Sequence, residues 1–233
     1  MTVLKGMGRM VNSYFSFGIE FKKDFSSSMS SYFLPVALRS LMEASSVALL
    51  TRLDPLRVVH SSKSQSNEKY DKSRPQASAI KWKGDVIEEG NASLWDSAVS
   101  SQKLPRSLLS ATACEAVWVP AHRNAVQWIE KSGLNDSVWL HAVEKQNSED
   151  FRKIFVGEGS QLYSELSKGI HPEFAVRRES EFDAETLSSL LERTSKWVSQ
   201  ISFLSHFAPG LSFSMDREAV YNSVLEVERT VNG

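Results

Sequence analysis

The chain has 233 residues, 41% hydrophobic and 24% charged, with 27 basic against 28 acidic side chains. That length suits one large domain or two small ones, and the apolar fraction excludes wholesale disorder. A single cysteine, Cys114, excludes an internal disulfide framework and a multi-cysteine zinc site. A net charge of -1 gives no global basic field for non-specific nucleic-acid binding.

No segment reads as a signal peptide or a membrane span. The N-terminal stretch has Lys5 and Arg9 but no unbroken apolar run, and Leu34 to Leu53 is interrupted by Arg39, Glu43 and Arg52. A cytoplasmic protein is expected, with no membrane partner.

Apolar residues at Met10, Tyr14, Phe17, Phe21 and Phe25 recur at helical spacing, and the serines from Ser26 to Ser31 are expected to end that helix. Pro35 is placed near the first turn of a second helix, whose buried stripe runs from Leu38 to Leu49 and which stops near Asp54-Pro55. Residues 61–76 hold Tyr70 as their only large apolar side chain, so they read as an exposed, mobile loop. A short helix is expected at Leu94 to Val99, and another from Pro105 that Pro120 interrupts. A further helix covers Ala121 to Lys131 and stops at Gly133.

Asp136 and Ser148 are the expected caps of two more helices, and Gly157 and Gly159 separate the second from a segment ending at Gly169 or Pro172. The strongest pattern follows Asp183: Leu187, Leu190, Thr194, Trp197, Ile201, Leu204 and Ala208, ended by Pro209-Gly210. Asp216 caps a last helix bearing Val220, Val224, Val227 and Val231. Strand patterns are poor throughout. The fold class is all-α, a single-domain helical bundle over 1–233 with one long polar loop.

Most enzyme signatures are absent. There is no Walker phosphate loop, no dinucleotide fingerprint and no H-E-x-x-H, and the five histidines are scattered. No cofactor and no metal are expected. Cys114 lies in an apolar run without a neighbouring cation and reads as a buried thiol. Trp118, Trp128, Trp139 and Trp197 read as core. Trp82, between Lys81 and Lys83, is the exception: with Lys63, Lys69, Lys72 and Arg74 it forms a basic, aromatic-bearing segment of the kind that contacts nucleic acid.

The most informative stretch is Tyr163-x-x-Leu166-Ser167-x-x-x-His171-Pro172, which puts His171 at a helix end where the dipole favours its protonated form. Upstream, Arg39-x-x-x-Glu43 is followed by Leu53-Asp54-Pro55. Together these motifs resemble uncharacterised bacterial members of the HEPN superfamily, helical bundles found among toxin–antitoxin and antiviral-defence proteins. The resemblance implies an early Arg/Glu-bearing helix packed beside the later Ser/His-bearing one, and a homodimer or a partner protein. It also implies a binding or assembly role. Ribonuclease members carry an Arg a few residues before a His, within a narrow range of spacings, and no such pair exists here: Arg57 is too close to His60 and Arg52 one residue too far. A metal-independent ribonuclease would instead need His171 as general acid or base, with Arg39 or Arg52 stabilising the phosphorane and Glu43 beside them. Nucleic-acid binding through the 63–83 segment, with RNA as a possible ligand, is the third reading.

Overall fold

The computed structural model describes residues 2–71, 73, 79–88, 106–168, 182–211 and 213–233. The fold is all-α, and no strand occurs among the described residues. The expected helix at Leu94 to Val99, Pro105 itself, and Lys72, Arg74 and His171 all lie outside the described residues. The helix expected to open at Pro105 begins only at Ala111, where the Ser110 hydroxyl accepts from the Ala113 N–H.

Helix α1 spans Thr2–Lys22 and α2 spans Ser28–Leu53. The serine cluster does not end α1, which already stops at Lys22; it starts the next helix. Ser27 adopts extended backbone angles and its hydroxyl accepts from the Met29 N–H, so it starts α2 well ahead of Pro35. Pro35 therefore sits inside the helix and not in its first turn, contrary to expectation. The missing ladder bond there is offset by burial of Leu34, Pro35, Leu38, Leu41 and Met42.

Asp54 ends α2 and caps α3, Pro55–Gln65, by accepting from the Arg57 N–H at 3.2 Å, with Pro55 in the first turn. Residues 61–65, expected to open the polar loop, are thus helical, and only the turns from Ser66 onward match that reading. Residues Trp82–Val86 form a wide turn rather than a helix: Gly84 has φ +94°, a conformation that favours glycine.

A continuous helical run then covers Ala111–Ala113, Cys114–Trp118 and α4, Val119–Ser132. Pro120 does not interrupt it. The turn just before it is wound wide, with the Val119 N–H bonded to the Cys114 carbonyl five residues back, which accommodates a residue that has no N–H. Gly133 closes α4 in the left-handed conformation, φ +68°, as expected.

Helix α5, Val138–Glu144, is capped by Ser137 and not by Asp136. The cap extends across the bundle, because the buried Glu228 carboxylate accepts from the Ser137 hydroxyl at 2.5 Å and the Val138 N–H at 3.0 Å. Asn147, not Ser148, caps the turn Ser148–Asp150. From Phe151 the chain winds without a break through Arg152–Val156 into α6, Gly157–Lys168. Gly157 and Gly159 do not separate two helices. Gly159 is there because the Trp197 ring lies 2.9 Å from where a Cβ would stand.

Helices α7, Ala184–Leu204, and α8, Arg217–Asn232, begin at the expected caps: Asp183 accepts from the Thr186 N–H and Asp216 from the Ala219 N–H. Every member of the α7 stripe is buried, from Leu187 to Leu204.

Helix α2 packs against α1, α3, α6 and α7, while α7 also contacts α4, α5, α6 and α8, so these two helices form the centre of one continuous apolar core. Among the described residues, α2 is the one helix long and apolar enough by composition to cross a membrane; most of its apolar stretch is buried inside the bundle.

Candidate functional site

Arg39 and Glu43 stand one turn apart on α2, so both project from the same side of the helix. Helix α6 lies against that side and brings Tyr163 to them. Three hydrogen bonds close a ring. Arg39 Nε donates to Glu43 Oε1 at 3.2 Å, Arg39 Nη2 donates to the Tyr163 hydroxyl at 2.7 Å, and that hydroxyl donates to Glu43 Oε1 at 2.8 Å. The guanidinium also lies 4.6 Å from the Tyr163 ring centre.

Trp82 stacks on Tyr163 with ring centres 4.3 Å apart and planes 2° from parallel, and it leans on Trp197 at 6.1 Å. Trp197 in turn donates from Nε1 to the Phe155 carbonyl at 3.0 Å. Four separate stretches of chain therefore meet at one polar knot inside an aromatic stack.

The electrostatics of this knot are those of a neutralised pair. Burial, followed by the Glu43 hydrogen bond and charge, pushes the Tyr163 hydroxyl up to about 12 against the opposing pull of Arg39. Tyr163 is thus a proton donor at neutral pH, not a base. Below it on α6, burial works to raise the Glu165 carboxyl, but hydrogen bonds from Arg193 and Gln161 prevail and hold it low.

Arg52 does not join Arg39 and Glu43. It lies thirteen residues further along α2, about 20 Å at 1.5 Å per residue. Its buried guanidinium donates to the Ser205 hydroxyl and, at 3.0 Å, to the Ser205 carbonyl. There it holds the C-terminal end of α7, whose carbonyls favour a cation. Burial first, and Arg52 second, push the neighbouring His206 imidazole down to about 4. In its neutral form His206 accepts from the Met215 N–H at Nδ1, 3.0 Å.

The basic segment is split by burial. Lys63, Lys69, Lys81 and Lys83 are exposed, whereas Trp82 is 7% exposed and packed against Tyr163 and Trp197. A nucleic-acid base has no open Trp82 face to stack on. Cys114 is buried as expected, and burial pushes its thiol up to about 12.

Tyr163 belongs to the motif noted in the sequence, yet its bond to Arg39 spans 124 positions, and no local signal announces that. Beside Glu43, a cleft of about 320 Å³ opens between α1, α2 and α3, walled by Met7, Met10, Tyr14, Val47 and Val58. No family model, no curated protein and no solved structure matches the chain.

Proposed function

We propose that the chain is a helical binding component of a multi-protein assembly, of the HEPN-like kind that works in bacterial antiviral defence or toxin–antitoxin systems in the cytoplasm. The observation that carries this reading is the closed ring of Arg39, Glu43 and Tyr163. Metal-independent RNA cleavage needs a cation free to meet negative charge as it develops on the phosphorane. Arg39 already faces a carboxylate and a hydroxyl, and Arg52 is buried against Ser205. Both of these arginines act as clamps between helices, which favours a rigid scaffold over a reaction centre.

The test has two arms. Purified protein incubated with single-stranded RNA and a chelator is expected to leave the RNA intact, and co-expression with the products of adjacent genes is expected to yield a complex heavier than 26.1 kDa. RNA cleavage that disappears in His171→Ala, with the melting temperature unchanged, would replace the binding role with the ribonuclease alternative.

A further inference from the structure

The hairpin of α1 and α2 is tight near its turn and open at the other end. At Gly18, α1 lies close on the bundle: a Cβ there would stand 3.4 Å from the Leu191 side chain and 3.6 Å from that of Leu38. Toward the start of α1, Val3, Met7, Met10 and Tyr14 follow at spacings of four, three and four, one stripe of the helix. None of the four is fully buried, and all of them wall the cleft of about 320 Å³ described above.

The opposite walls explain why the stripe stays open. Where α2 and α3 meet the cleft they present Ser40, Ala44, Ser61 and Ser62, side chains too short to reach across. Along α2 the slot runs from Ser40 to Val47, about 10 Å at 1.5 Å per residue. Its volume falls in the range of small-molecule sites, which are apolar clefts with a few convergent polar groups.

Those polar groups are one-sided in their chemistry. Glu43 walls the cleft, and the bonds from Arg39 and Tyr163 both land on its Oε1, so Oε2 has no partner among the described residues. Ser40 stands one turn before it on the same side of α2. Tyr14 offers a ring, whose face attracts cations. No lysine, arginine or histidine is among the described residues that wall the cleft. An anionic ligand would therefore lose water without meeting a counter-charge, whereas an ammonium group finds acceptors for its N–H donors.

We propose that this cleft binds a small organic amine in its ammonium form, its apolar body along Met7, Met10 and Tyr14 and its nitrogen on Glu43 Oε2 and the Ser40 hydroxyl. The site goes beyond the assembly role above and stands or falls without it. Arg39 already shares the Glu43 charge and the carboxylate is half-exposed, so the ammonium group adds about fivefold in affinity over a neutral donor.

Methyl-labelled methionine gives a local readout in the full chain. Met7 and Met10 wall the cleft, while Met29, Met42 and Met215 do not. Titration with phenylbutylamine at neutral pH is expected to shift the Met7 and Met10 methyl resonances saturably and to leave the other three in place. Phenylbutanol, with the same body, should bind about fivefold more weakly, and phenylbutyrate more weakly still. Glu43→Gln keeps the shape and an acceptor for Arg39 and Tyr163, and should remove the amine's advantage over the alcohol. Ser61→Leu fills the cleft with a better helix former and should abolish the shifts without lowering the melting temperature; Ser62→Leu repeats the test should the first variant not fold. No saturable shift with millimolar amine overturns the proposal. So do phenylbutyrate binding as tightly as the amine, an amine preference that survives Glu43→Gln, and shifts that persist in a folded, filled variant.

Discussion

In the first half of α2, Met29, Phe33 and Val36 turn apolar surface to solvent, whereas further along Arg39, Glu43 and Arg52 turn charge toward other helices. The arrangement reverses what residue type alone would suggest. The reason is coverage: α6 brings Tyr163, and the end of α7 brings Ser205, to the charged stretch, while the outer face near the turn has α1 beside it and keeps Met29, Phe33 and Val36 exposed among the described residues. Buried polar groups persist where each has a partner, and exposed apolar groups persist where folding brings none.

The sharpest way to test that contrast is to remove an interior support. Trp197→Ala empties a fully buried site touching Gly159, Trp82 and the Phe155 carbonyl, and should cost about 4 kcal/mol in denaturant melts. A loss under about 1 kcal/mol would mean the aromatic stack is loosely packed.

Next in size is a pH effect at the far end of α2. Because His206 has its folded-state pKa depressed to about 4 from 6.5, the unfolded chain binds its proton first as pH falls. The stabilisation is therefore complete above about pH 6.5 and is lost between there and about pH 4, by at most about 3 kcal/mol. His206→Asn, which retains an acceptor for the Met215 N–H, should flatten the stability-versus-pH curve across that window. Identical slopes in the two proteins would show that His206 is not responsible.

A smaller change is expected at the polar knot. Tyr163→Phe deletes one hydroxyl but leaves Arg39 paired with Glu43, and should cost about 1 kcal/mol in the same melts. At the bottom of the scale, Val36→Ser at low chain concentration should shift stability by less than about 0.5 kcal/mol. A large loss there would show that the hairpin face is covered within the single chain.

The sequence was most legible where the physics is local. The α7 stripe needs only the helical period, and Asp183 and Asp216 need only the short reach of a carboxylate to the N–H groups of the next turn. Prolines and glycines were harder to read, because their effect depends on what surrounds them. Pro35 is tolerated by burial, Pro120 by a widened turn, and Gly159 stands within a helix because a ring 38 positions away needs the room there, while Gly157 has open space around it. Of the site, Arg39 and Glu43 were legible as an i,i+4 pair. Their closure by Tyr163 was not, since nothing within a turn of either residue encodes a partner more than a hundred positions distant. Arg52 looked like a companion of Arg39 in the linear sequence, but a rigid helix sets them far apart.

The one thiol of the molecule offers a practical corollary. With its sulfur enclosed and its acidity suppressed to about 12, Cys114 has almost no thiolate at neutral pH, and alkylating reagents cannot reach it in the native state. Its labelling rate is therefore a clock for opening of the bundle, readable by mass spectrometry in the untouched wild-type protein.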